Sequence, residues 1–242
     1  MRCETLCDKP FTKDNLDECL KELAREFKRR NGKYCSAELI LIGGASVLVN
    51  YGFREMTYDV DAIIQATAAM KDSINEVGDR MGLPNGWLNA DFVRTSSYTP
   101  KLIQYSTHYR TFNHVLDVRT VSHEYLVAMK LMSGRPYKND LSDIVGILIE
   151  QKKSGNELSL DVIKKACDNL YDGYENIPER SRQFIESACA TPDLESLYAQ
   201  IKNDEGDNKE ILLEFQEGYP NVLNEDNLEE ILRIAKEKKK SK

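Results

Sequence analysis

The pattern of apolar residues changes character near Asn139, and that change restricts the fold more than any other feature of the chain. Before it, short apolar runs of strand length alternate with helical spacing. After it, only helical spacing recurs. Glu38-Leu39-Ile40-Leu41-Ile42 reads as a buried strand. A second strand is expected over Asp59–Ile64, where Val60, Ala62 and Ile64 face one side and Asp59, Asp61 and Ile63 the other. Two more are expected at Lys101–Tyr105 and His114–Val121. A helix over Thr12–Arg30 follows from Leu16, Leu20, Leu23 and Phe27 at intervals of three and four, with Asn31-Gly32 as its stop. Further helices are expected at 45–51 and 67–81, and after Ser122 as N-cap to about Ser133, where Gly134 and Pro136 end the run. Beyond Asn139 the helical stretches are 140–153, 159–172, 178–189, 193–203, 208–217 and 225–240. The expected class is α+β, divided into an α+β unit over 1–136 and an all-helical region over 137–242, packed without an obvious hinge. The stretch from Gly82 to Tyr98 is turn-rich and takes no assignment.

With 41% hydrophobic and 30% charged residues, 242 residues suffice for a sizeable core. No run approaches the roughly 18 apolar residues of a membrane helix, and the N-terminus lacks the apolar stretch of a signal peptide. A net charge of −7 argues against sequence-blind gripping of duplex nucleic acid. Among the cysteines at 3, 7, 19, 35, 167 and 189, Cys3 and Cys7 have the spacing of half a metal site, but no second pair completes it. Free thiols in a reducing, cytoplasmic setting are expected. His108, His114 and His123 form no H-x-x-x-H pattern, which argues against a zinc hydrolase.

Chemistry is concentrated in Leu41-Ile42-Gly43-Gly44-Ala45-Ser46 and Arg54-Glu55-Met56-Thr57-Tyr58-Asp59-Val60-Asp61. Two glycines between a strand and a helix let the backbone turn sharply and approach a ligand closely. The following helix start offers free N–H groups and a positive dipole end to a phosphate, and Ser46 adds a hydroxyl. Carboxylates at i and i+2 of one strand repel each other unless a divalent cation sits between them. A phosphate cradle beside a metal clamp is what phosphoryl or nucleotidyl transfer needs.

The pattern G-G-A-S, a helix, then R-x-x-T-x-D-V-D resembles the first motif of the DNA polymerase beta-like nucleotidyltransferase superfamily. It is most similar to the minimal nucleotidyltransferase branch that includes abortive-infection (AbiEii-type) toxins. Leu126-Val127-Ala128-Met129-Lys130-Leu131, followed by Arg135-Pro136-Tyr137-Lys138-Asn139-Asp140-Leu141-Ser142-Asp143, resembles the later motif, L-x-x-x-K-L and then D-L-x-D. The two matches span about residues 38–148.

The resemblance implies a small mixed β-sheet core with helices packed on it, and an enzyme that moves a nucleoside monophosphate from a nucleoside triphosphate to an acceptor hydroxyl. The acceptor is an RNA, a protein or a small molecule, and a cognate antitoxin is a possible partner. Gly43, Gly44 and Ser46 would contact the triphosphate, and Asp59 and Asp61 would hold one or two magnesium ions. Lys130 would approach the phosphates, with Asp140 or Asp143 positioning it or completing the site. From the residues alone, Lys130 fits a snorkelling structural lysine equally well, and Asp140 and Asp143 fit first-turn carboxylates of a helix. Arg54 and Thr57 match the arginine and small hydroxyl before the acid pair, in a bracing or nucleotide-binding role. The third carboxylate of polymerase-type members has Asp117 as its candidate by position, and a cross-strand partner of Arg119 is the other reading of that residue. A catalytically silent nucleotide-binding or regulatory module is the alternative function. Base preference is not legible; Trp87 and Tyr98 are aromatic groups available for stacking.

Overall fold

The computed structural model describes residues 10–224 and 227–240; Cys3 and Cys7 lie outside the described residues. Helix α1 (Lys13–Asn31) starts at a capping box in which Thr12 Oγ1 accepts from the Asn15 amide and Asn15 Oδ1 accepts from the Thr12 amide. Its stripe of Leu16, Leu20, Leu23 and Phe27 is fully buried, and Gly32 closes it at φ +81°. There follow β1 (Ala37–Leu41), α2 (Gly43–Asn50), β2 (Val60–Gln65), α3 (Ala69–Met81), β3 (Leu88–Asn89), β4 (Ser106–Phe112) and β5 (Leu116–Val121). Then come helices α4 (His123–Ser133), α5 (Asp140–Lys153), α6 (Leu160–Tyr171), α7 (Glu179–Ala190), α8 (Leu194–Gly218) and α9 (Leu228–Lys240).

The strands form one mixed sheet in the order β3-β2-β1-β5-β4. β1 runs antiparallel to β2 and parallel to β5. Its unbroken apolar run is explained by burial on both faces. Leu39 and Leu41 pack with α1 and α3, while Ile40 and Ile42 pack with Leu126, Ile144, Ile163, Ile185 and Ile201 of α4–α8. The second cluster therefore takes side chains from both sides of residue 136. The α+β expectation holds, with a mixed sheet and C-terminal helices.

Three expectations need correction. Lys101–Tyr105 is not a strand: Pro100–Ile103 forms a 3-10 turn with proline in its first turn and Thr99 Oγ1 accepting from the Lys101 amide. The strand lies later, at Ser106–Phe112, and pairs with β5 across a tight turn at Asn113 and His114, both at positive φ. As an edge strand it is polar on both faces and shows little apolar alternation. Residues 193–203 and 208–217 are parts of one helix, α8, which continues through Asn203-Asp204-Glu205-Gly206-Asp207-Asn208 because Glu205 and Asn208 are buried and bonded to other elements. Finally, Ser122 occupies the N-cap position of α4, but its hydroxyl donates to the Tyr105 carbonyl instead of capping the helix.

Candidate active site

The site is built at the end of β1, where the chain turns into α2. Gly43 opens the helix at φ +56°, a left-handed conformation in which a side chain is strained. A Cβ on Gly43 would lie 3.6 Å from Asp61 Oδ2, so the Asp61 carboxylate rests against the glycine turn. Gly44 is needed for a different reason: its Cβ would stand 2.7 Å from Thr57 Oγ1 and 2.8 Å from an Arg54 guanidinium nitrogen. Helix α2 has no side-chain N-cap, which leaves its first amides without local acceptors from side chains. Ser46 departs from expectation. Its side chain is fully buried and its hydroxyl lacks a hydrogen-bond partner, so an anion at the turn meets backbone amides and cannot reach this group without movement.

Asp59 and Asp61 stand two residues apart at the start of β2, Asp59 exposed and Asp61 half-buried. Ile63, on the same face, belongs to the cluster under α4–α8, which fixes the side of the sheet on which the acids lie. Burial first, and then the charge of Asp59, push the Asp61 carboxyl up to about 6; Lys138, the Asn89 side chain and Arg135 oppose the rise. The loop leading to the acids is held on both sides. Phe11 and Thr57 exchange two backbone bonds of 2.7 and 2.9 Å, and Thr57 Oγ1 lies 3.2 Å from the Asp59 carbonyl and 3.4 Å from its carboxylate.

Lys130 is the buried centre of a chain of charges. Lys130 Nζ sits 2.7 Å from Asp143 Oδ2 and 3.2 Å from Asp140 Oδ1, with all three side chains about 5% exposed or less. Arg54 pairs with Asp143 at 2.5 Å and Arg135 with Asp140 at 2.9 Å. Burial works to raise the Asp140 carboxyl, but Lys130 and Arg135 outweigh it and hold the group well below the usual carboxylate range. Lys130, expected to approach phosphates, is thus committed to two aspartates. Arg54 closes over Gly44 and anchors to Asp143.

Asp117 is not brought to the acid pair. Glu38 pairs with Gln65 on one side and with Asp117 on the other, so Asp117 is level with a residue four positions along β2 from Asp61. That is about 13 Å at the rise of a strand, and two strands across. Its carboxylate accepts from Thr111 at 3.0 Å and contacts His108 at 2.9 Å, with Arg119 at 4.0 Å. Among the described residues, no three His, Cys, Asp or Glu side chains converge as a metal-binding group. Trp87 is unavailable for stacking on a ligand: it is buried and donates its indole N–H to the Ile74 carbonyl. Sequence reasoning missed Asn89, which only the β2–β3 register places opposite Asp61, and gave no role to Arg135 or Lys138, whose charges bear on Asp61.

The geometry above coincides with a family assignment. The model of one protein family, described as "Nucleotidyltransferase of unknown function (DUF6036)", matches residues 16–188. The chain belongs to this nucleotidyltransferase family. The matched span contains the glycine turn, the acid pair and the Lys130 network, and it ends before α8. Searches of curated proteins and of solved structures each gave no match. Among the described residues, no helix of this nucleotidyltransferase is long and apolar enough to cross a membrane.

Proposed function

We propose that the protein transfers a nucleoside monophosphate from a nucleoside triphosphate to an acceptor hydroxyl, using Asp59 and Asp61 to hold magnesium. The observation that carries this reading is the Asp61 carboxylate lying against Gly43, at the uncapped start of α2, with Asp59 on the same face. A hard divalent cation fits the donor set: two carboxylates supply oxygen ligands, and their mutual repulsion is part of what raises Asp61. Bound there, the metal would neutralise charge on the phosphates and the leaving group.

The chain's own groups have the remaining roles. The amides at the start of α2 receive phosphate oxygens, and Arg135 and Lys138 supply positive charge on the Asp61 side. Arg54, Thr57 and the Lys130–Asp140–Asp143 cluster hold the acid-bearing loop in place. The acceptor oxygen attacks the α-phosphorus, the bond to pyrophosphate breaks, and the hydroxyl proton passes to solvent. Transfer is expected to be slow, because among the described residues no third carboxylate stands by the pair.

The L-x-x-x-K-L and D-L-x-D segments support placement in the AbiEii-type toxin branch, with RNA, protein or a small molecule as acceptor and an antitoxin as partner. The remote Asp117 and the sequestered Lys130 favour a second reading, a silent fold that binds nucleotide and regulates a partner. The test is a screen of the four α-labelled nucleoside triphosphates against cellular RNA and protein, with wild type and the Asp59→Asn/Asp61→Asn variant. Label transferred by wild type alone supports the enzyme. Equal transfer by both excludes this site. Metal-dependent nucleotide binding in calorimetry, with no transfer to any acceptor, selects the regulatory reading.

A further inference from the structure

Helix α5 carries Asp140 and Asp143 in its first turn, yet its own N-cap residue, Asn139, makes no side-chain capping bond. The cap comes from 64 residues away: Glu205 Oε1 accepts from the Leu141 amide at 3.0 Å and lies 3.2 Å from the Ser142 amide. One turn further along α8, Asn208 Nδ2 donates to the Pro136 carbonyl at 2.6 Å. Both side chains are buried, at 4% exposure. Between these two anchors, Tyr137 packs with Ile211, Leu212, Leu228 and Leu232 of α8 and α9. The segment that presents Arg135, Lys138 and Asp140 is therefore fastened at both ends, and in the middle, by helices outside the family match.

We propose that Glu205 is a positioning residue of the nucleotidyl-transfer site, setting the first turn of α5 and through it the Lys130–Asp140–Asp143 cluster and the Arg135–Lys138 segment. The inference rests on the proposed function for its catalytic consequence, but not for its structural one. A carboxyl oxygen at a helix start satisfies two amides at once, amides that the helix's own N-cap residue leaves open. An ordinary surface contact between helices would not need a buried acid. Glu205 Oε2 and Asn208 Oδ1 are both buried with no partner, so the acid is held there at the cost of desolvating polar atoms. That cost is consistent with a geometric role: α5 cannot shift without leaving two amides uncapped.

The experiment compares wild type, Glu205→Gln and Glu205→Leu as full-length chains. Gln keeps the accepting oxygen; Leu removes it at similar volume. Hydrogen exchange is followed by mass spectrometry across residues 134–145, and transfer rate and KM are measured with the donor and acceptor found in the screen, or magnesium-nucleotide affinity if only binding is found. With Leu, exchange at 140–143 is expected to accelerate at least tenfold while peptides of α1 and β1 keep their protection. Turnover or nucleotide affinity should fall at least tenfold, and Gln should restore both. Unchanged exchange in the Leu variant overturns the proposal. So does faster exchange with unchanged turnover and affinity, which would make Glu205 a structural cap only. A wild type that neither transfers nor binds nucleotide overturns the proposed function and this inference together. An active wild type with an equally active Leu variant overturns this inference alone.

Discussion

Removing the charge of Asp61 tests the electrostatic core of the site, and its effect can be worked out before any substrate is known. Burial and the neighbouring Asp59 push its carboxyl from an ordinary 3.8 up to about 6. A group whose folded value is raised contributes stability that is fully present below its unfolded value and is lost as pH rises through the folded value. In Asp61 that window runs from about pH 4 to about pH 6. Above it, holding the ionised carboxylate costs the metal-free fold about 3 kcal/mol at 1.36 kcal/mol per pH unit. Asp61 is only half-buried, and solvent screening reduces this to about 1–2 kcal/mol. Asp61→Asn keeps the shape and removes the charge. In chelator at pH 8 it should melt about 2–8 °C above wild type, on the scale of about 2–4 °C per kcal/mol for a chain of this size. The gap should close toward pH 4.5, where wild type is itself protonated at this position. Adding magnesium should stabilise wild type by about 1.4 kcal/mol at ten times its dissociation constant and leave the variant unmoved. Scanning fluorimetry over pH 4.5–8 reads every arm. A variant that melts below wild type at pH 8, a gap independent of pH, or equal stabilisation of both proteins by magnesium would refute the reasoning.

The remaining predictions concern the groups around the acids. Lys130→Met leaves Asp140 and Asp143 buried with only Arg135 and Arg54 as cations, and should cost about 3–5 kcal/mol in urea unfolding; a loss under 1 kcal/mol would mean that the cluster reorganises freely. Gly44→Ala drives a methyl group into Thr57 and Arg54, and should cost about 1–3 kcal/mol together with most of the nucleotide affinity; calorimetry at normal affinity would place the nucleotide elsewhere. Glu205 is pushed up to about 7, chiefly by burial, with Asp143 adding to the rise. Its contribution is full below about 4.5 and lost as pH climbs through 7, so Glu205→Gln should flatten the decline in stability between those values, read as melting temperature against pH.

Periodicity made several elements legible in the sequence, and register explains most of what was missed. The stripe on α1, the two-faced run of β1 and the acid-bearing face of β2 follow from spacing within single elements. Which residues stand level across strands does not. The register puts Asp117 on the same face as the acids, yet the pairing of Glu38 with Gln65 and Asp117 sets it four residues away along β2. Asn89 was missed for the converse reason: its two-residue strand carries no pattern, and only pairing brings it to Asp61. Strand β4 was placed too early because the edge of a sheet needs no apolar alternation. Between the two helices expected at 193–203 and 208–217 lies the Asn-Asp-Glu-Gly-Asp-Asn stretch, whose composition favours a turn. Its buried contacts at Glu205 and Asn208 override that local preference.

The buried ion chain bears on how the site keeps its geometry. Arg54, Asp143, Lys130, Asp140 and Arg135 carry three positive and two negative charges, a surplus of one positive charge against an acid pair of charge −2. Stability alone is a poor reason for such a chain, since desolvation offsets much of the attraction and apolar side chains of similar volume often serve as well. What the chain supplies is connection. It ties the loop bearing Asp59 to α4 through Lys130 and to α5 through Asp143, while α8 fixes the start of α5 through Glu205. A displacement of any one of these elements breaks a short polar contact, so the position of the acid pair relative to the glycine turn depends on helices that carry neither.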